Sequence, residues 1–181
     1  MTVVNILIIY SSNDGQTKKI CSRISKVLEN EHNSDLITIS DVDNYDINDY
    51  HAVILGAAVR YGKHSRLVSE FVNKNREKLR NVYSLFFSVN AVARKADKCT
   101  AKNNPYVKKF ITKTGWKPTQ TSVFGGRINY PEYGFFDRFV IRLIMKLTDG
   151  PTNIAKSYDF TDWKKVDQLA SKISNDVTQP K

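Results

Sequence analysis

Ser11-Ser12-Asn13-Asp14-Gly15-Gln16-Thr17 follows the apolar run Val3 to Tyr10 and opens a stretch of helical patterning that begins near Thr17. A short, near-continuous apolar run is the pattern of a strand buried on both faces of a parallel sheet. Ile20, Ile24, Val27 and Leu28 then mark one helical face. The turn between them lies where a strand's carboxyl end meets a helix's first turn, and there unpaired backbone N–H groups and the helix dipole favour an anion. Its hydroxyls, side-chain amides and single glycine suit a monophosphate. The same residues also read as an ordinary N-cap, so the turn alone decides nothing. Neither G-x-x-x-x-G-K-[ST] nor G-x-G-x-x-G occurs, which excludes the nucleoside triphosphate and dinucleotide fingerprints.

Outward from that turn, strand and helix signals alternate. Asp35 to Ile39 and His51 to Gly56 predict the second and third strands, and Val82 to Val89 and Thr119 to Phe124 the fourth and fifth. Leu67, Val68, Phe71 and Val72 mark a helix after the third strand. Tyr106, Lys109, Phe110 and Lys113 mark another, stopped by Gly115, and Gly125-Gly126 lets the chain turn sharply. Thr161 or Asp162 caps a last helix with the stripe Trp163, Val166, Leu169, Ala170 and Ile173. His51 and His64 show no ligand spacing and read as solvent or capping groups. This order predicts an α/β fold, a doubly wound five-stranded parallel sheet with right-handed crossovers.

In such sheets ligands sit outside the carboxyl ends of the strands, where the winding reverses. Three candidate loops share that edge: Ser11 to Thr17; Ala57, Ala58, Val59, Arg60, Tyr61 and Gly62; and Ser88, Val89, Asn90, Ala91, Val92, Ala93 and Arg94. Their convergence suits FMN, with the phosphate in the first loop and a flat ring between the other two, as in a flavodoxin-like fold. Between the fifth strand and the last helix, 127–150 is longer than a connection requires. Within it, Phe135 to Leu147 places Arg138, Arg142 and Lys146 on one narrow stripe, while apolar residues cover about 240° of the circumference. The run is too short to span a bilayer, which needs about 20 residues. It reads as a helix lying in the membrane interface or over a lipophilic ligand, with its cations at the headgroups, or else as a buried core or dimer element.

The 181 residues, 41% hydrophobic, predict one domain over 1–181. The N-terminus has no signal-peptide pattern. Cys21 and Cys99 offer neither metal spacing nor a disulfide framework, so no metal and a reducing cytoplasm are expected, with Cys21 an inert packed thiol. The net charge of +10 asks for an anionic partner. Arg60 to Arg80 holds seven basic and two acidic residues and Arg94 to Lys117 eight and one, so these two stretches carry the whole excess. Solvated helix faces, anionic lipid or an acidic substrate would each account for it; no motif supports nucleic acid.

Asp14-Gly15-Gln16-Thr17, Gly56 to Gly62, the run Tyr83 to Lys95 and Arg138 to Lys146 together resemble the bacterial family of menaquinone-dependent protoporphyrinogen IX dehydrogenases, from Val3 to about Ile173. That family is a flavodoxin-like branch with a long insert. Unlike general flavodoxins, the third loop here carries no aromatic ring. The resemblance implies an oxidoreductase of haem biosynthesis in which protoporphyrinogen IX loses six hydrogens through FMN to menaquinone or ubiquinone. It places the protein peripherally on the cytoplasmic side of the cell membrane, against an anionic surface, and leaves a homo-oligomer open. A basic rim beside an apolar wall suits such a macrocycle, and Arg60, Arg94, Lys95 and Arg127 are the candidates. Tyr61 could meet the flavin edge or the porphyrinogen, or simply pack. Asn90 and its surrounding backbone could hydrogen-bond the ring's polar edge. No side chain is forced as catalytic acid or base, since the cofactor carries the chemistry. Two other readings stay open: a flavodoxin-type electron carrier or quinone reductase, and a flavin-free binding module.

Overall fold

The computed structural model describes residues 2–178. Ile6, Leu7, Ile8 and Ile9 of β1 (Asn5–Ser11) are completely buried, as an apolar run needs when both faces of its strand are covered. β1 pairs in parallel with β2 (Asn33–Thr38) on one side and β3 (Ala52–Arg60) on the other. β5 (Tyr83–Asn90) and β6 (Gln120–Gly125) complete a parallel path in the order β2-β1-β3-β5-β6. The winding reverses beside β1, so the carboxyl ends of β1 and β3 diverge into a crevice.

α1 (Gln16–Leu28) and α6 (Trp163–Val177) cover one face, packing Ile20, Ile24, Leu28, Val166 and Ile173 against Ile6, Ile8, Ile54 and Phe87. α2 (Arg66–Lys74) and α4 (Pro105–Thr114) cover the other, against Leu7, Ile9, Leu55 and Phe86, with the short α3 (Arg76–Asn81) between them in sequence. Asp162 caps α6, accepting from the Lys165 N–H at 3.0 Å, and Gly115 ends α4 at φ 63°. Cys21 is fully buried, and burial pushes its thiol pKa up. Among the described residues no helix is long and apolar enough to cross a membrane.

Three features differ from the sequence reading, two of them around the third strand. The third strand does not stop at Gly56. It runs to Arg60 and turns back through Tyr61 and Gly62, at φ 50° and 78°, into β4 (Lys63–His64), a two-residue antiparallel addition that makes the sheet six-stranded. Paired positive φ values give the tight twist that a two-residue hairpin turn needs. His64 is also no solvent group. Its ring lies edge-on to Phe86 and Phe110, at 5.6 and 5.3 Å between centroids, and its Nε2 is 2.9 Å from Ser88 Oγ.

The insert expected at 127–150 lies between β6 and α6. β7 (Arg127–Asn129) pairs antiparallel with β8 (Ser157–Asp159), and α5 (Phe135–Leu147) spans the connection with the bounds read from the sequence. Met145 is the one α5 residue fully packed inward, in a small cluster with Ile128, Tyr130 and Tyr133. Arg138 does not reach outward with Arg142 and Lys146. It donates to the carbonyls of Tyr130, Pro131 and Tyr133 and so fixes the turn that leads into α5.

Burial lowers the His64 pKa to about 4 from its ordinary 6.5. The unfolded chain therefore binds this proton first as pH falls, and the native state loses stability between pH 6.5 and 4. Wild-type protein is expected to lose up to ~3 kcal/mol of unfolding free energy across that window by urea titration. His64→Gln should flatten that part of the profile; an unchanged slope would show that another group carries it.

Candidate active site

The carboxyl edge of the sheet opens into a cleft built from all three candidate loops and the insert. Its empty space is about 970 Å³ with the open mouth included. Ser12, Asn13, Asp14, Gln16 and Thr17 line it from the first loop. Ala58, Val59, Arg60, Tyr61 and Gly62 line it from the hairpin, and Val89, Asn90, Ala91, Val92 and Arg94 from the end of β5 and the turn after it.

At the first loop Gly15 stands at the N-cap of α1 with φ 78° and offers no side-chain cap. A Cβ there would meet nothing within 4 Å, so the position needs glycine for its backbone angle rather than for space. The first N–H groups of α1 are left for an outside acceptor. Ser12 Oγ and Thr17 Oγ1 are shut off from solvent and have no hydrogen-bond partner. A buried unpaired hydroxyl costs about 1 to 3 kcal/mol. Two of them beside a helix N-terminus fit the oxygens of a phosphate monoester. The Gln16 amide, in contrast, donates to Asp159 and Thr161 at 3.0 and 2.7 Å, tying the loop to the strand that returns from the insert.

The expected basic rim has a different task in part. Arg60 pairs with Asp137 of α5 and lies 3.5 Å from Asp14. Hydrogen bonding by Tyr61 raises the Arg60 pKa, with burial opposing and the charges of Asp137 and Asp14 assisting. Arg94 donates to the Ala91 carbonyl and to both oxygens of Thr148, at 2.6 to 2.9 Å, just beyond the end of α5. Lys95 does not line the cleft and sits 3.7 Å from Asp149. Arg127 lines it and donates to Ser157 at 2.9 Å. Cations on the second and third loops thus grip α5 at both ends, holding Ile141, Ile144 and Met145 over the cleft as an apolar roof.

Ser11, Gly15, Ala57, Ser88, Ala93 and Lys95 do not line the cleft. Ala57 and Ala93 point into the core because side chains alternate along a strand and the turn after β5 folds back on it. Ser88 bonds His64 and Asn90 behind the wall. The Asn90 side chain is engaged too, accepting from Ala93 N–H at 3.1 Å and exchanging bonds with Asn104, which caps α4. It therefore stiffens the third loop and does not extend from it.

The sequence reading missed Tyr106, at the first turn of α4, and Tyr133, on the insert; both line the cleft. Tyr133 donates to Asp14 at 3.2 Å, and burial pushes its pKa up to about 12, so it remains a neutral donor. Tyr106 supplies a ring to a region whose third loop has none, from a helix whose sequence position gave no sign of it.

Residues 7–155 match the family model described as Flavodoxin domain. The chain is 42% identical over 167 residues to a Leishmania major protein named Protoporphyrinogen IX dehydrogenase [quinone], covering 91% of this chain and 72% of that one. It is 37% identical over 175 residues to an Escherichia coli K12 protein of the same name, covering 96% and 97%. Among solved structures it resembles a WrbA-like flavodoxin from Agrobacterium tumefaciens, with a TM-score of 0.56 at 13% identity over 98% and 99% of the two chains. It also resembles oxidised flavodoxin 1 from Bacillus cereus, with a TM-score of 0.54 at 14% identity over 94% and 97%. The likeness to these structures is one of fold.

Replacing Thr17 by the isosteric valine deletes one of the orphaned hydroxyls. Ligand-free Thr17→Val is expected to be as stable as wild type or ~1 kcal/mol more stable to urea and, if the turn receives a flavin phosphate, to bind FMN about tenfold more weakly by fluorescence titration. Equal FMN affinity would show that this hydroxyl faces no ligand.

Proposed function

The chain belongs to the flavodoxin-domain family and, within it, to the quinone-linked protoporphyrinogen IX dehydrogenases, and on that premise we propose that it oxidises protoporphyrinogen IX to protoporphyrin IX on bound FMN, for haem biosynthesis, with menaquinone or ubiquinone as acceptor. The observation that carries this reading is the pairing, in one cleft, of a phosphate-ready turn with an apolar roof whose outer face is exposed. When bound, FMN supplies two-electron redox chemistry. The macrocycle gives up six electrons and six protons in three rounds, and three quinones leave as quinols.

The chain's own residues bind, orient and shield. Ser12, Thr17 and the first turn of α1 would hold the phosphate, and Gly15 gives that turn its left-handed angle. Ala58 to Gly62 and Val89 to Val92 would flank the ring, and Tyr106 and Tyr133 line the same cleft. Ile141, Ile144 and Met145 present an apolar surface to a large hydrophobic substrate and keep water from the reacting face. Arg60 and Arg127 offer charge to its carboxylates at the rim.

The outer face of α5 supports a peripheral seat on the cytoplasmic side of the cell membrane. Phe135, Phe136, Phe139, Leu143 and Leu147 are exposed, from 47% to 88%, flanked by Arg142 and Lys146. A short helix with such a face lies in the headgroup boundary, and each fully buried side chain contributes roughly 1.5 to 3 kcal/mol. The site's entrance would then face the layer in which quinones dissolve.

Phe139→Asp with Leu143→Asp is expected to cut sedimentation with phosphatidylglycerol vesicles by more than about tenfold. It should also lower turnover of protoporphyrinogen IX with vesicle-embedded quinone while leaving FMN affinity unchanged. Wild-type vesicle binding by the variant would show that this face is not the membrane seat. FMN-loaded wild type that shuttles electrons without oxidising protoporphyrinogen would return the chain to the electron-carrier class.

A further inference from the structure

Arg60 and Tyr61 face an occupant that belongs to the chain itself. One oxygen of Asp137, on α5, accepts from the Arg60 guanidinium, and the other accepts from the Tyr61 hydroxyl. The guanidinium carbon lies 5.3 Å from the Tyr61 ring centroid, and Tyr61 holds its place through a left-handed backbone angle of 50°. A guanidinium and a phenol set side by side make a two-donor receptor for a carboxylate. Both residues line the cleft, and the pair faces the roof under which the macrocycle would lie.

We propose that Arg60 and Tyr61 form the seat of a substrate propionate, and that Asp137 is a built-in stand-in which fills this seat until the macrocycle displaces it. The inference rests on the protoporphyrinogen reading of the cleft. Charge is its first support. Asp14 already lies 3.5 Å from the other side of the guanidinium, so a third carboxylate cannot join without mutual repulsion, whereas exchange for Asp137 leaves the charge unchanged.

The second support is where each aspartate is anchored. Asp14 is fixed in the β1–α1 turn and receives a hydrogen bond from Tyr133. Asp137 is the third residue of α5, after Gly134, which gives no side-chain cap, and after Phe135 and Phe136, which are 88% and 72% exposed. Its release uncovers no packed apolar surface in that turn. A carboxylate at that position can also reach back to the free N–H groups of its own helix, where the dipole favours negative charge. Asp137 thus exchanges one favourable site for another, and substrate entry is coupled to the first turn of α5.

Protoporphyrin IX, the product, reports the seat without turnover, and its dimethyl ester lacks the charge. In fluorescence titrations of the FMN-loaded protein, Asp137→Ala and Asp137→Asn are expected to bind the diacid about tenfold more tightly than wild type, with the ester unchanged. Arg60→Gln should weaken the diacid alone by a similar factor, and in Arg60→Gln with Asp137→Ala the gain should vanish. Asp137 variants that bind the diacid no more tightly than wild type, or that gain equally for the ester, overturn the stand-in while leaving the substrate reading intact. Wild type that takes up neither porphyrin overturns the substrate reading, and the seat with it.

Discussion

A parallel sheet leaves its carboxyl edge open where the direction of winding reverses, and the rest of this structure follows from that constraint. The reversal beside β1 puts the end of β1 and the N-terminus of α1 next to the end of β3, with no helix crossing between them. Backbone donors that lack a partner in every α-helix are thereby directed into a crevice rather than into bulk water. Ser12 and Thr17 add two hydroxyls with no partner in the chain. Keeping them unpaired lowers the stability of the protein, a cost that a phosphate bound to the native state alone would offset.

The insert converts this open edge into a roofed one. α5 buries one residue deeply, so its position depends on polar grips at its ends: Asp137 on Arg60 and Tyr61 near the start, Thr148 on Arg94 near the finish. Part of the chain's basic excess is thus structural. Lys74, Lys78 and Arg66 likewise pair with Asp43, Asp46 and Glu70. What is left beside the outer apolar face of α5 is Arg142 and Lys146, suited in place and charge to an anionic surface.

Much of this was legible in the sequence because it is carried by periodicity and by local turn chemistry. The buried run of β1, the core stripes of α1 and α6, the stop at Gly115 and the bounds of α5 all follow from such patterns. The β3–β4 hairpin was not legible, because Val59 is the one strand-favouring apolar residue in Ala57 to Arg60 and Tyr61 is not a residue expected at positive φ. His64 looked solvent-exposed because its neighbours, Phe86 and Phe110, are supplied by distant strand and helix positions. The three cleft loops are legible, but not how their side chains are engaged: Ser88 bonds His64 behind the wall, Asn90 lines the cleft with its amide tied to Ala93 and Asn104, and Arg94 lines it with its guanidinium on Thr148. Tyr106 and Tyr133 enter the cleft only through tertiary placement.

The central claim is that the α1 turn receives the phosphate of a flavin mononucleotide. Calorimetric titration of the ligand-free protein with FMN and with riboflavin, which differ by that phosphate alone, tests it most directly. The account expects FMN to bind at least about a hundredfold more tightly, as two charge-assisted hydrogen bonds of roughly 1.5 kcal/mol or more would give. Equal affinities for the two flavins, or binding of neither, would contradict it.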